Sequence, residues 1–287
     1  MSVRFLRLNR RAAILLGPVL LLFLAYIFLL EPNWIDVTRH DVWFKRLPPE
    51  FDGLVVAQLS DLHIASYGFR ERRLLTALAK AKPGLIVITG DFITPGSDRA
   101  AVLRFLKDLR PLDPPFGVWA VLGNHEHTDL PVLGHEEMRQ FFNEANIALL
   151  VNDAGRIGRG LDTLTLIGVD DPYTGHDRLW EALKGMQRTP FAILLSHSPE
   201  IFFKADLARF DLVLAGHTHG GQVRLPWVGP VWLPEGSESY EAGWFAGSSA
   251  KMFVSRGIGT STLPIRFLCR PELPLITLKR GTGPSAG

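Results

Sequence analysis

The sequence predicts an α/β body that follows a single membrane-spanning helix. Residues 12–30 are uncharged and apolar, short apolar runs rich in β-branched residues recur through the rest of the chain, and helix-like segments separate those runs. With 287 residues, 47% hydrophobic and 21% charged, the chain has the composition of a folded protein and not of a disordered one. We expect one large domain, because no linker or repeat period divides the chain.

The N-terminal apolar segment has the length of a membrane anchor. At about 1.5 Å per residue, residues 12–30 would cross a hydrocarbon core of about 30 Å. The segment ends F-L-L-E-P at 28–32, without the small-x-small site of a cleaved signal peptide. We therefore predict a basic segment at 1–11, a transmembrane helix at 12–30 and a juxtamembrane segment at 31–50, with a buried core helix as the alternative for 12–30.

The charge distribution predicts the topology and excludes some partners. Arg4, Arg7, Arg10 and Arg11 precede the span with no acidic residue among them, whereas the rest of the chain has 27 basic and 29 acidic residues. The positive-inside rule then places the N-terminus in the cytoplasm and the body outside it. Because the basic excess is confined to the leader, nucleic acid is disfavoured as a partner. The single cysteine, Cys269, excludes an intrachain disulfide and is expected to be buried.

The apolar runs define the order of elements in the body. Strands are predicted at 54–59, 85–89, 118–122, 163–169, 191–195 and 211–215, with shorter candidates at 251–255, 264–269 and 273–279. Helices are predicted at 70–81, 98–110, 135–146, 177–186 and 200–209. This alternation is typical of α/β proteins, with a C-terminal third richer in sheet and a disordered tail at 281–287.

Five of these strands are followed directly by side chains that bind metals. The segments are S-D-L-H at 60–63, G-D at 90–91, G-N-H-E at 123–126, S-H at 196–197 and G-H-T-H at 216–219. Since the carboxyl ends of strands in open α/β sheets converge on one crevice, we expect one cluster of Asp, Asn and His side chains. Oxygen and imidazole donors without thiolate suit Mn, Fe or Zn, and seven candidate ligands are enough for two ions.

These five blocks, in this order, resemble the calcineurin-like metallophosphoesterase superfamily. The strings A-G-H-T-H-G-G-Q-V-R-L-P at 215–226, S-R-G-I-G at 255–259 and R-P-E-L-P-L-I-T-L at 270–278 are similar to its membrane-associated bacterial branch, the YaeI- and YkuE-like phosphodiesterases. The resemblance implies a metallophosphoesterase domain at 51–280, built as a four-layer αββα sandwich with two mixed sheets. With the predicted topology, it implies a single-pass protein of the bacterial inner membrane with an extracytoplasmic body.

The resemblance also implies a role for each candidate residue. One divalent ion would be bound by Asp61, His63, Asp91 and His219, and a second by Asp91, Asn124, His197 and His217. Asp91 would bridge the two ions, and a hydroxide between them would attack phosphorus. His125 would stabilise the transition state or protonate the leaving oxygen.

Other polar residues of these segments are expected to have structural roles. Glu126, His127, His135 and His176 match no ligand position. Asp170 and Asp171 predict a turn, with orientation of a ligand as the alternative. An aromatic run in the C-terminal third has two interpretations: an apolar platform, near the site or at the bilayer, or core packing. Its residues are Trp227, Val228, Trp232, Leu233, Trp244 and Phe245.

The substrate class follows from what the motifs lack. The strings G-D-F-I-T-P-G and L-G-N-H-E carry neither of the arginines with which the related Ser/Thr protein phosphatases clamp a monoester. A phosphodiester or pyrophosphate is therefore favoured, and the anchor favours a lipid-linked one, with no obligate protein partner. The alternatives are a UDP-2,3-diacylglucosamine pyrophosphatase of lipid A synthesis, which needs a cytoplasmic site, a single-metal enzyme, and a non-catalytic metal-binding scaffold.

Overall fold

A computed structural model describes residues 10–128, 135–184 and 189–283. The helices are α1 (Arg10–Ala25), α2 (Phe69–Ala81), α3 (Arg99–Leu109), α4 (Asn124–Thr128), α5 (His135–Glu144), α6 (Leu179–Ala182) and α7 (Ile201–Lys204). The strands are β1 (Asp36–Phe44), β2 (Val55–Leu59), β3 (Leu85–Thr89), β4 (Val118–Val121), β5 (Ile147–Leu149), β6 (Asp153–Arg159), β7 (Asp162–Gly168), β8 (Ala192–Leu195), β9 (Leu212–Ala215), β10 (Arg224–Leu225), β11 (Gly229–Pro230), β12 (Gly243–Ala246), β13 (Lys251–Val254) and β14 (Glu272–Arg280).

Twelve of the strands form two six-stranded mixed sheets. The first has the order β1-β14-β2-β3-β4-β5 and the second β12-β13-β9-β8-β7-β6. In the first sheet only β14 and β2 are antiparallel neighbours, so β2, β3 and β4 run in one direction. In the second sheet β7, β8 and β9 are parallel. The strands that precede the five metal-binding motifs therefore lie in both sheets, three in the first and two in the second.

The two sheets pack face to face, with helices on the outer faces. In β3, the side chains of Leu85 and Val87 join the core between the sheets, whereas Ile86 and Ile88 pack under α2 and α3. This alternation follows from the two-residue period of a strand that is buried on both faces. A third cluster lies between the second sheet and α6 and α7. The four-layer αββα sandwich with two mixed sheets is thus confirmed.

The N-terminal segment forms one apolar helix that ends against the body. The stretch Leu16–Asn33 is long and apolar enough to cross a membrane, judged by length and composition. After α1 the chain continues through a π-helical turn, Tyr26–Leu30, and a 3₁₀ turn, Glu31–Asn33. The backbone N–H of Arg266 donates to the carbonyl of Ile27, so the end of this helix is fixed to the body.

The segment 31–50, predicted as a juxtamembrane connection, contains a strand that the sequence analysis did not predict. All nine residues of β1 pair in parallel with β14, which begins 236 positions later at Glu272. Local patterns could not show this strand, because it is half exposed and its partner is almost a whole chain length away. The folded body therefore includes residues before position 51.

The predicted strand at 264–269 is wrong. Phe267 makes one isolated bridge to Val223, and the rest of the run is irregular. The run is apolar because it packs on the N-terminal helix: the ring of Phe267 lies 5.5 Å from that of Phe23 and 6.5 Å from that of Tyr26. An apolar run of this length does not distinguish a strand from a loop that covers a helix.

The remaining differences concern helix length. The predicted helix 200–209 is divided, because extended backbone at Ala205 ends α7 and Asp206 caps a separate 3₁₀ turn, Leu207–Arg209. The predicted helix 177–186 is reduced to α6, and residues 185–188 lie outside the described part. Most of the predicted basic segment 1–11 and of the predicted tail 281–287 also lies outside it, as does the side chain of His135.

Candidate metal centre

The structure brings all seven candidate ligands and His125 to one place, between the carboxyl ends of strands from the two sheets. They follow β2, β3 and β4 in the first sheet and β8 and β9 in the second. The seven candidate ligands are Asp61, His63, Asp91, Asn124, His197, His217 and His219. Six of them are buried, with exposed fractions of 7% or less, and Asn124 is partly buried.

The first group of donor atoms surrounds a point beside Asp61 and His63. The Nε2 atoms of His63 and His219 face each other at 3.1 Å. Asp61 Oδ1 lies 3.4 Å from His219 Nε2, and Asp91 Oδ2 lies 3.5 Å from His63 Nε2. Asp61, His63 and His219 thus each offer a donor atom within 4.8 Å of the other two, and Asp91 lies next to His63.

The second group lies on the other side of Asp91. His197 Nε2 is 3.2 Å from Asp91 Oδ2, 3.0 Å from Asn124 Oδ1 and 3.1 Å from His217 Nδ1. The same carboxylate oxygen of Asp91 therefore faces both groups, with His63 on one side and His197 on the other. This is the geometry that a carboxylate shared between two cations requires.

His125 lies at the open side of the cluster. Its backbone N–H donates to Asp91 Oδ1 at 3.0 Å, and its Nε2 lies 3.9 Å from Asp91 Oδ2. Its side chain is 17% exposed, whereas those of His63 and His197 are fully buried. His125 can therefore reach a substrate that approaches from solvent, although its distance to Asp91 also allows it to bind an ion.

The ligand-bearing loops hold an unusual backbone conformation. Asp61, His63, Asp91, His217 and His219 all have φ between 41° and 72°. This left-handed region costs energy for residues with a Cβ, and such residues collect at sites whose surroundings fix them. The sharp turns let each strand present a side chain immediately after it ends.

Gly216 shows how closely these loops pack. A Cβ at this position would overlap Ser60 Oγ and lie 2.5 Å from Asp61 Oδ2. The G of the G-H-T-H motif is thus required because the loop after β9 passes directly over the loop after β2. That contact also gives the N–H of His217 its hydrogen bonds to both carboxylate oxygens of Asp61, at 3.0 and 3.2 Å.

Burial favours the metal-binding protonation state of three of the histidines; burial also acts to lower the pKa of His197, but the facing Asp91 and Asp61 raise it well above its usual value. Burial lowers the pKa of His63 to about 4 and that of His217 to about 3, and it lowers the pKa of His219 well below its usual value. These imidazoles are neutral near pH 7 and keep a lone pair for a cation. Burial alone would raise the pKa of Asp91, but the facing His197, with His63 and His125, lowers it well below the ordinary range. The donor set therefore fits two divalent ions.

Glu126 holds two of the loops together, a role that no motif indicated. Its Oε2 accepts hydrogen bonds from the N–H groups of Gly123 (2.7 Å) and Asp91 (2.9 Å), and its Oε1 from those of Phe92 (2.8 Å) and Ile93 (3.4 Å). Burial and the nearby Asp91 raise the pKa of Glu126 to about 7, although the four N–H donors favour its carboxylate. The expectation that Glu126 is structural agrees with these contacts.

A separate set of hydrogen-bonded polar side chains lies beside the candidate metal centre. His127 Nε2 lies 2.7 Å from Asp170 Oδ1, and the rings of His127 and His176 stack at 4.0 Å. Asp171 Oδ2 accepts from the N–H and the hydroxyl of Thr174, both at 2.8 Å, which forms the expected turn. The contact between Asp170 and His127 was not foreseen, because these residues are 43 positions apart.

The aromatic run divides between surface and core. Trp244 packs between the two sheets, and Phe245 packs on the cluster beside α7. Trp227 and Val228, in the turn of the β10–β11 hairpin, and Trp232, just after it, are exposed. Core packing is therefore confirmed for Trp244 and Phe245, whereas the exposed part of the run stays a predicted apolar platform.

Comparison with known proteins supports this geometry. A family model described as calcineurin-like phosphoesterase matches residues 54–221, which include all eight site residues. The chain is 31% identical to YkuE of Bacillus subtilis, an uncharacterized metallophosphoesterase, over 87% of both chains. It is 30% identical to the phosphodiesterase YaeI of Escherichia coli, over 88% of this chain and 92% of YaeI. A transmembrane protein with a metallophosphoesterase domain from Danio rerio is 28% identical, over 87% of this chain and 58% of its own length.

Proposed function

Because this chain belongs to the calcineurin-like phosphoesterase family and is a phosphoester hydrolase, we propose that it hydrolyses phosphodiesters at a membrane surface with two divalent metal ions. The observation that carries the proposal is the central position of Asp91. One of its oxygens lies within 3.5 Å of ligand atoms from both groups, His63 on one side and His197 on the other.

The ligand assignment follows from these two groups. Asp61, His63 and His219 would bind one ion and Asn124, His197 and His217 the other, with Asp91 common to both. Ions of the Mn, Fe or Zn type suit donors that are half imidazole and half oxygen. When bound, the two cations would supply Lewis-acid activation of the phosphate and of the attacking water.

The chain's own residues would transfer the proton to the leaving group and orient the imidazole that carries it. His125 would donate the proton of its Nε2 to the leaving alcohol, so that the phosphorus–oxygen bond breaks without forming a free alkoxide. Asp91 accepts the backbone N–H of His125 and so fixes the position of that imidazole. The products would be a phosphomonoester and an alcohol, with water contributing the hydroxyl group to phosphorus and a proton to the alcohol.

The charges around the site favour a diester over a monoester. A monoester carries two negative charges, and cationic side chains directed at them would favour its binding over that of a diester. The guanidinium of Arg70, in the wall of the adjoining cavity, already binds Glu71 at 3.0 Å and the carbonyls of Leu62 and His63 at 3.3 Å. It is therefore poorly placed to clamp a second phosphate charge.

Membrane anchoring rests on the N-terminal helix. The stretch Leu16–Asn33 has the required length and apolar composition, and most of its side chains are exposed rather than packed on the body. The transmembrane relative from Danio rerio agrees with an anchor. The arginines before the span favour an extracytoplasmic body in the bacterial inner membrane.

The test is hydrolysis and metal content of the full-length protein in detergent. After chelation, Mn, Fe or Zn should restore hydrolysis of bis-p-nitrophenyl phosphate more than of p-nitrophenyl phosphate. Asp91→Asn should lose hydrolysis and both ions, because both groups depend on its carboxylate. Asp41→Asn, the same change at an exposed position of β1, should retain both. Two bound ions in purified Asp91→Asn would refute the bridging assignment.

A further inference from the structure

Two cavities adjoin the first group of ligands, and their chemistry differs. The polar one, about 410 Å³ in volume, includes His63, Arg70 and Thr94 in its wall. The apolar one, about 520 Å³, includes His219, Val231 and Trp232. Thr262 and Leu263 belong to both walls. Because the imidazoles of His63 and His219 meet at 3.1 Å, a molecule lying across the site can have a charged part in one cavity and an apolar part in the other.

The surface around the apolar cavity is exposed and apolar. It consists of the β10–β11 hairpin, residues 231–232 after it and the loop 259–270, and we call it the interfacial surface. Its exposed side chains include Trp227, Val228, Val231, Trp232 and Leu263. Exposed apolar side chains grouped in this way on a folded domain are typical of a membrane or protein contact.

Trp227 is held outward by its backbone. It lies in the turn between β10 and β11 with φ of 63°, a conformation that is rare for a bulky side chain, and its side chain is fully exposed. Strained residues of this kind collect at functional sites, which makes Trp227 a candidate for one. Tryptophan is the side chain enriched where a protein meets the headgroup region of a bilayer.

The interfacial surface is continuous with the end of the membrane helix. Arg266 N–H donates to Ile27 in the helix end, and Phe267 packs on Phe23. The next contacts lead to the hairpin, because the N–H of Arg224 donates to the carbonyl of Phe267 at 2.9 Å. Asn33, the last residue of the candidate span, lines the polar cavity. The hairpin and both cavities thus lie beside the C-terminal end of the candidate span.

We propose that the interfacial surface rests in the bilayer that the N-terminal helix enters, and that the apolar cavity beside His219 receives an acyl chain of a phospholipid whose phosphodiester lies at the metal centre. This inference rests on the proposed function and specifies its substrate class. Water adds its hydroxyl group to phosphorus, the bond to one alcohol breaks, and that alcohol takes the remaining proton. The acyl chain would enter along Trp232 and Leu263 without leaving the membrane.

The first test measures the position of the hairpin. Full-length protein is reconstituted in vesicles of phosphatidylglycerol and phosphatidylcholine with brominated or ordinary acyl chains, since bromine quenches nearby tryptophan fluorescence. We expect quenching in the wild type and in Trp180→Phe, which changes a tryptophan on α6 that is about as exposed as Trp232. The quenched fraction should fall clearly in Trp227→Phe/Trp232→Phe. Equal quenching in all three proteins would overturn the proposal and favour a protein partner for this surface.

The second test measures substrate choice. The ratio of phospholipid hydrolysis in vesicles to bis-p-nitrophenyl phosphate hydrolysis should fall at least about tenfold in Trp227→Ser/Trp232→Ser, whereas Trp180→Ser should keep the wild-type ratio. An unchanged ratio in the double variant, or no phospholipid hydrolysis by a wild type that cleaves the soluble diester, would overturn the inference alone. A wild type that cleaves neither substrate with any metal would instead refute the proposed function.

Discussion

Replacing Glu126 tests whether the stability of the loops that carry the candidate metal ligands depends on one carboxylate. In Glu126→Ala, three N–H groups with short bonds, those of Gly123, Asp91 and Phe92, lose their acceptor. A buried donor left without a partner costs about 1–3 kcal/mol. Water entering the space, and the loss of a buried charge that lies near Asp91, would both reduce the sum, so we expect a loss of about 4 kcal/mol, a large part of the stability of a typical domain.

The glutamine variant sharpens this prediction. Each carboxylate oxygen of Glu126 accepts two N–H groups, so a glutamine must direct its own NH₂ group at one of the two pairs. Two donors then lose their acceptor, and we expect Glu126→Gln to lose about half as much stability as Glu126→Ala.

The assay is urea unfolding of chelated full-length protein in detergent at about pH 8.5, where Glu126 is ionised. A loss of about 4 kcal/mol should lower the urea midpoint by about 1.5 M. Glu181→Ala, which removes an exposed carboxylate from α6, should change the free energy of unfolding by less than about 0.5 kcal/mol. Coincident midpoints for wild type and Glu126→Ala would refute the reasoning.

Three further predictions concern the acid, the anchor and the topology. His125→Ala should keep both ions and lose more rate with an alkyl leaving group than with p-nitrophenolate, which needs no proton; equal losses would exclude general-acid catalysis. A chain that starts at residue 26 should stay folded and cleave a soluble diester. One that starts at residue 32 should unfold more easily, because it lacks the buried Glu31, whose Oε1 accepts the N–H of Cys269 at 2.6 Å; equal thermal midpoints would contradict this. Protease added to sealed spheroplasts should digest the body. Protection until lysis would instead favour a cytoplasmic pyrophosphatase acting on a nucleotide-linked lipid.

The sequence was sufficient for features encoded by local patterns. Buried strands such as 85–89 are short β-branched runs, and the turn that ends each of them carries its ligands within four residues. All seven candidate ligands and His125 were therefore predicted, and the structure brings all eight together. The alternation of strands and helices likewise indicated the α/β class, because it reflects the periodicity of each element.

Only the tertiary structure decided what depends on distant contacts. Three such features leave no local pattern in the sequence: β1 pairs with β14, Glu126 accepts four loop N–H groups, and His127 contacts Asp170. The apolar run at 264–269 was mistaken for a strand, since the energy of burying it is the same whether it faces a sheet or the helix α1. Local spacing fixes the direction of a side chain on its own element, but which elements meet is determined by burial over the whole chain.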